Sequence, residues 1–379
     1  MRNLRKIVIL SFFVILALVG SSCGSNNQTP SRTFYLGFSP WPYDNTQEAV
    51  DWVYAEISAN GDAISQHMEE GVPWPEAYSP LSNPTPFSQD YINTIYYRVQ
   101  HSAGKKIILQ INPLNTSRDG IALYRGSSIM QPLPTGWESV ALNSEQVKTA
   151  YLNYAIRMKE YFNPTFMLLG IEVNILIDKN PTLWPAYIEL HRYVYTELKK
   201  LYPTLPLGVS VFCVPYFPKW TTPSNLTAQL NGLNDLAPYI DFLAFSVHPF
   251  MSSLLAEIFP EDYFRRLFAI TSKPIAISES SYPAQEWTTL TEPFLTFRGT
   301  PEKQAQFLSL MLAESQRVKA KFVIWYSIRD YDALWNTFSP DLQALGITWR
   351  DTGLYDESGN ERKAMGVWKD WYSRPRAAD

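Results

Sequence analysis

Phe166-Met167-Leu168-Leu169-Gly170-Ile171-Glu172-Val173-Asn174 is an apolar run that ends abruptly in a carboxylate and an amide. Its composition marks a strand buried in a sheet. Glu172 has no cheap place there, because burying an uncompensated charge costs several kcal/mol. It must face a partner or a cleft. The pattern recurs at Lys273 to Pro283, KPIAISESSYP, where Ile275, Ala276 and Ile277 lead to Glu279. Two strand-end carboxylates, far apart in the chain, are the main clue to its chemistry.

Short apolar runs rich in β-branched or aromatic residues begin near positions 34, 62, 106, 166, 207, 241, 274 and 322. Most are separated by segments with helical spacing. Ala49, Val50, Val53, Tyr54 and Ile57 share one face, as do Val147, Ala150, Tyr151, Tyr154 and Met158. Asn143 and Gln146 have the spacing of a capping box for the second of these helices, and Thr300-Pro301 is a cap followed by a first-turn proline. Strand and helix alternating over eight strands predict an α/β fold, a single-domain (β/α)8 TIM barrel over residues 33–373. Connections after helices are short, whereas those after strands are long and rich in Trp, Tyr and Pro. The longest, Asn112 to Leu142, lacks periodicity. Long loops on one face build a cleft at the C-terminal ends of the strands.

The 379-residue chain carries a net charge of -4 and has no long basic run after its N-terminus. That excludes an electrostatic footprint for nucleic acid. Four histidines without close metal-ligand spacing, and no Gly-rich phosphate loop, lead us to expect neither metal nor cofactor. Arg2, Arg5 and Lys6 precede an apolar Ile7 to Val19 and then Ser21-Ser22-Cys23. The segment resembles a bacterial lipoprotein signal, with Gly20 where Leu is usual; an ordinary cleaved secretory signal is the alternative. The expected organisation is a signal over 1–23 with Cys23 lipidated, a polar tether over 24–32, and a monomeric domain held at the cell envelope, facing outside the cytoplasm, by its lipid alone. With Cys23 so used, Cys213 has no partner for an intramolecular disulfide.

Counted as strands four and seven, Glu172 and Glu279 project into one cleft from opposite sides of the barrel mouth. Two carboxylates across a sugar bond are what glycoside hydrolysis requires: one protonates the leaving oxygen, the other attacks or stabilises the anomeric carbon. In these motifs the sequence resembles the (β/α)8 glycoside hydrolases of clan A, and within them the endo-β-1,4-galactanases and β-mannanases. Gly170 to Asn174 matches the acid/base strand, Ser278 to Pro283 the nucleophile strand, and Asp241 to Phe250 the sixth-strand segment. Trp325 stands where the clan places a sugar-stacking tryptophan.

The resemblance implies Glu279 as nucleophile, Glu172 as acid/base, and retention on a β-linked poly- or oligosaccharide. Candidate substrate-binding residues are Asn174, His248, Trp325, Trp41, His67, Asn112 and Tyr282. Two positions depart from the clan's pattern. Ile171 stands where an Asn commonly binds the sugar 2-hydroxyl, so that either another group such as Asn174 reads it or the substrate presents it differently, as the axial hydroxyl of mannose would, and Val247-His248 replaces two tyrosines. These departures motivate an alternative, a non-catalytic glycan-binding surface lipoprotein on a degenerate barrel; a transferase using the same two glutamates is a third reading.

Overall fold

The computed structural model describes residues 30–217, 225–252, 259–292, 294 and 296–377. The expected signal segment, Cys23 and most of the tether lie outside the described residues. The strands are β1 (Tyr35–Phe38), β2 (Ala63–Met68), β3 (Lys106–Ile111), β4 (Phe166–Leu168), β5 (Leu207–Phe212), β6 (Phe242–Val247), β7 (Ile275–Ser280), β8 (Glu286–Thr288), β9 (Thr296–Arg298) and β10 (Phe322–Trp325). Eight of them close a parallel barrel in the order β1-β10-β7-β6-β5-β4-β3-β2, and β8 and β9 form a separate antiparallel pair. The barrel is the predicted (β/α)8 fold. The β8–β9 hairpin, inserted in the loop after β7, was not foreseen.

Successive side chains on a strand point to opposite faces, so each strand feeds two cores. Phe166, Leu168, Phe242, Ala244, Phe322 and Ile324 point inward and plug the barrel, with Phe166 and Phe322 ring centroids 5.1 Å apart. Their neighbours Met167, Leu243, Phe245, Val323 and Trp325 point outward into the larger core beneath the helices. Above the aromatic plug the inward positions turn polar. Gln110 donates to Ser65 Oγ at 2.7 Å and to the Ser278 carbonyl at 3.3 Å. The strand-end carboxylates stand above this shelf.

Helix termini follow local chemistry. Ser144 Oγ accepts from the Val147 backbone and caps the helix Glu145–Phe162. The cap is therefore one residue later than the expected Asn143, whose amide instead donates to Glu189 at 2.7 Å. Thr300 caps Pro301–Arg317 as predicted, its hydroxyl accepting from Lys303 N. The segment from Asn112 to Leu142 folds as a loop pinned by isolated bridges, Leu114 to Ile121 and Tyr124 to both Val72 and Gln131. Trp74 and Trp137 stack on each other at 5.5 Å and are buried, which makes them loop packing.

Two ladder irregularities matter most. Ser210 N donates to the Gly170 carbonyl, and Val173 N donates to the Ser210 carbonyl. Ile171 and Glu172 together thus oppose Ser210, two residues where a regular ladder has one. Glu172 takes a left-handed φ of 51°, and its N–H is satisfied by Ser210 Oγ at 2.9 Å. A Cβ on Gly170 would lie 2.5 Å from Tyr187 Oη and from Val173 Cγ1, so the residue before the bulge has to be glycine. Between β6 and β7 the register steps from Phe245–Ile277 to Ser246–Glu279, leaving Ser278 extra. Both strand-end carboxylates therefore sit at bulges, which re-aim side chains beside functional sites.

Candidate active site

Glu172 and Glu279 share the mouth of the barrel, on strands separated by β5 and β6. Ser246, in register with Glu279, donates to Glu172 Oε1 at 2.7 Å. The Glu172 side chain is 19% exposed and that of Glu279 14%. Both are sunk in the mouth but reachable.

Their electrostatic settings differ. Burial pushes Glu172 above the ordinary carboxylate range, and the charge of Glu279 adds to it; Arg118 and the Ser246 hydrogen bond pull back without prevailing. Burial alone would also raise Glu279, yet nearby His248 and His67 outweigh it and hold the carboxyl below the ordinary range. His248 Nε2 stands 3.9 Å from Glu279 Oε2, too long for a hydrogen bond but close enough for its charge to be felt. The other ring nitrogen, Nδ1, is fixed by Ser281 Oγ at 2.7 Å.

A third carboxylate joins them. Glu69, just past β2, pairs through Oε2 with His67 Nε2 at 3.0 Å. Through Oε1 it accepts from Asn112 Nδ2 at 3.1 Å and from Arg118. Burial opposes its charge, but His67, Arg118 and Asn112 prevail and bring the carboxyl down to about 2. Burial likewise disfavours charged His67, but Glu69 and the charge of Glu279 raise it above the ordinary histidine value. Arg118, its side chain only 4% exposed, reaches Glu172 Oε2 at 3.3 Å and gives Nε to the Ile171 carbonyl at 2.9 Å.

The remaining sequence candidates divide. His67, His248 and Trp41 are brought to the mouth. Trp41 packs against Tyr326 at 5.7 Å and Tyr331 at 5.9 Å, and its indole N–H has no hydrogen-bond partner among the described residues. Asn112 is at the mouth too, but its amide is spent on Glu69 and on the Ile171 backbone. Three expectations need correction. Asn174 is buried, its amide donating to the Phe212 carbonyl and Gln229 and accepting from Phe212 N, so it braces β5 and is not free to read a hydroxyl. Tyr282 stacks on Phe307 at 4.9 Å in the outer core. Trp325 is fully buried on the outward face of β10, with Nε1 on the Thr352 carbonyl at 3.0 Å.

The next residue, Tyr326, faces inward, 6.3 Å from His248 between ring centroids, and the charge of Glu279 is felt at its hydroxyl. The aromatic wall expected of Trp325 thus belongs to Tyr326. Ile171 is buried, its backbone N and O engaged by Asn112 and Arg118. After β10, Asp330 forms a two-bond ion pair with Arg362 at 2.6 and 2.8 Å, an anchor for the closing segment. Carboxylate oxygens of Asp330, Asp332 and Glu357 lie within 4.8 Å of one another. With Asp330 committed to Arg362, that group is a poor metal cage.

Sequence reasoning missed Glu69, Arg118, Ser210, Ser246 and Tyr326. Strand alternation held the signal for Glu69. The second strand runs to Met68, which puts Glu69 two residues beyond inward-facing His67. No comparable signal marks Arg118, which comes from the aperiodic loop.

No protein-family model and no curated protein matches the chain. Solved structures do. An exo-β-1,4-mannosidase, Op5Man5, from Opitutaceae bacterium strain TAV5 aligns with a TM-score of 0.56 at 15% identity, over 90% of this chain and 59% of its own. This chain thus matches less than two thirds of that mannosidase. A GH5_18 protein from Bifidobacterium longum subsp. infantis gives a TM-score of 0.59 at 14% identity, over 92% of this chain and 80% of its own. The GH53 catalytic domain from Ignisphaera aggregans gives 0.53 at 15%, over 82% and 85%. At such identities the likeness is one of fold, and fold alone does not settle chemistry.

Proposed function

We propose that the protein is a retaining glycoside hydrolase acting on β-linked poly- or oligosaccharide, with Glu279 as nucleophile and Glu172 as acid/base. The observation that carries the reading is the opposite bias of the two carboxyls in one mouth. Glu172 is held toward its protonated form by burial, and Glu279 toward its ionised form by two histidines against the same burial. Titratable pairs pushed apart in this way are the mark of an acid and a nucleophile working together. The barrel shared with a mannosidase and with GH5 and GH53 structures supports it.

In the first step a Glu279 oxygen bonds to the anomeric carbon as the glycosidic C–O bond breaks, and the Glu172 proton passes to the departing oxygen. The second step reverses the roles. Glu172, now ionised, takes a proton from water, the water oxygen bonds to the anomeric carbon, and Glu279 leaves as a carboxylate. Trp41 and Tyr326 offer aromatic faces against which a sugar ring can pack.

The test is chemical rescue. Glu279→Ala abolishes hydrolysis of an aryl β-glycoside, and azide restores turnover with a glycosyl azide as product. Undiminished activity in the variant would sink the assignment. Binding without turnover by the wild-type protein, across mannans, galactans and glucans, would favour the glycan-binding alternative.

A further inference from the structure

An arginine against a general acid is a contradiction, since a guanidinium favours the ionised carboxylate and so opposes the proton that the acid must carry. Arg118 nevertheless stands 3.3 Å from Glu172, almost wholly buried and unable to turn away. Its Nε is tied to Ile171 O, and its Nη1 to the carbonyls of Asn115 and Thr116 at 3.0 Å. What resolves the contradiction is the second carboxylate on the same guanidinium. Nη1 also meets Glu69, whose other oxygen is held by His67.

We propose that Glu69 is a positioning residue that takes up the charge of Arg118, so that Arg118 can orient Glu172 without stripping it of the proton it donates. Orientation and protonation are thereby separated: the arginine sets where the acid points, and Glu69 sets how much of the arginine's charge the acid feels. The inference rests on the acid role of Glu172 proposed above. It also explains why Glu69 is ringed by donors, because only a carboxylate kept ionised can neutralise Arg118. Glu172 and Glu279 both feel the charge of His248, and they share a further partner in Glu69, reached from Glu172 through Arg118 and from Glu279 through His67.

Several elements bring charged or titratable groups toward Glu172. The loop after β3 brings Arg118, which carries Glu69 and, behind it, His67 from the end of β2, and β7 brings Glu279. Past the end of β6 stands His248, whose charge favours ionised Glu172, and past the end of β5 stands the buried Cys213, whose thiol feels the charge of Glu172, while β5 and β6 themselves offer the hydroxyls of Ser210 and Ser246. Of these, Glu69 is the anion that shares Arg118 with the acid.

The experiment titrates the Glu172 carboxyl by ¹³C NMR in full-length protein labelled at glutamate Cδ, with the resonance assigned by Glu172→Gln. The readout needs no substrate, so it remains informative if the protein turns over none. Glu69→Gln is expected to lower the Glu172 midpoint by about one pH unit. The basic limb of kcat/KM on an unactivated β-glycoside should fall with it, while the rate on a dinitrophenyl glycoside, which needs little protonation, changes less. The double variant Glu69→Gln/Arg118→Gln returns the midpoint to the wild-type value or above. Glu69→Asp, which keeps the charge, stays nearer to wild type and replaces Glu69→Gln should that variant fail to fold, with a smaller downward shift expected. An unmoved or raised Glu172 midpoint, or a rate loss equal at every pH and for both leaving groups, would overturn the proposal. A moved midpoint in a protein inactive on all glycosides would instead count against the hydrolase reading.

Discussion

Ser246 donates its hydroxyl to Glu172 at 2.7 Å from the position that pairs in register with Glu279. One small residue on β6 is thereby linked to both candidate carboxylates, to Glu172 through its side chain and to Glu279 through strand pairing. A hydrogen bond given to a carboxylate favours its ionised form, so Ser246 lowers Glu172 against the burial that raises it.

Ser246→Ala should therefore move Glu172 further up. The protonated acid persists to higher pH, and the basic limb of kcat/KM shifts upward by about one pH unit, the size of one hydrogen bond to a charged group. A pH profile on an unactivated β-glycoside measures this. A limb that stays in place, or moves down, contradicts the assigned role of Glu172 as the acid.

Neighbours at the end of β10 should separate stability from binding. Trp325 fills the outer core, so Trp325→Ala is expected to cost about 3–5 kcal/mol of stability, seen as a large fall in Tm. Tyr326 faces the mouth, and Tyr326→Phe should leave Tm nearly unchanged. Tyr326→Ala should weaken oligosaccharide binding by about 1 kcal/mol through loss of the ring face, read as a higher KM or as weaker calorimetric binding. Equal binding by wild type and Tyr326→Ala would return the stacking role to another wall.

The His67–Glu69 pair predicts a stability window. Glu69 is depressed in the folded state from 4.5 to about 2, so its contribution is present above about pH 4.5 and is lost as pH falls toward 2. His67 is raised above 6.5, so its contribution is full below that value and fades as pH rises through the raised one. The destabilisation caused by Glu69→Gln should be greatest near pH 5 to 6 and shrink at both ends. Thermal melts of the variant and wild type from pH 3 to 9 test it; a Tm difference constant over that range would refute the pairing.

Much of the fold was legible because strand and helix periods are local properties. Apolar runs of strand length, capped helices and long loops after strands specified the barrel, and the two runs ending in Glu172 and Glu279 located its mouth. Side-chain direction past a strand end was less legible. Trp325 and Tyr326 are adjacent, and choosing which of them faces the barrel mouth requires knowing the phase of the strand, which one residue of slip reverses.

Local patterning was enough to specify the barrel and the pair of carboxylates, since an apolar run that stops at a charge must turn that charge toward a partner or an opening. How the two are aimed and charged depends on segments distant in the chain. The bulges at Ile171–Glu172 and at Ser278 arise from pairing with β5 and β6, and neither strand reveals them alone. Arg118 reaches Glu172 from a loop 54 residues earlier in the chain, and Glu69 reaches Arg118 from the end of β2. Electrostatic settings depend on distance in space, and the closure of the barrel is what sets those distances.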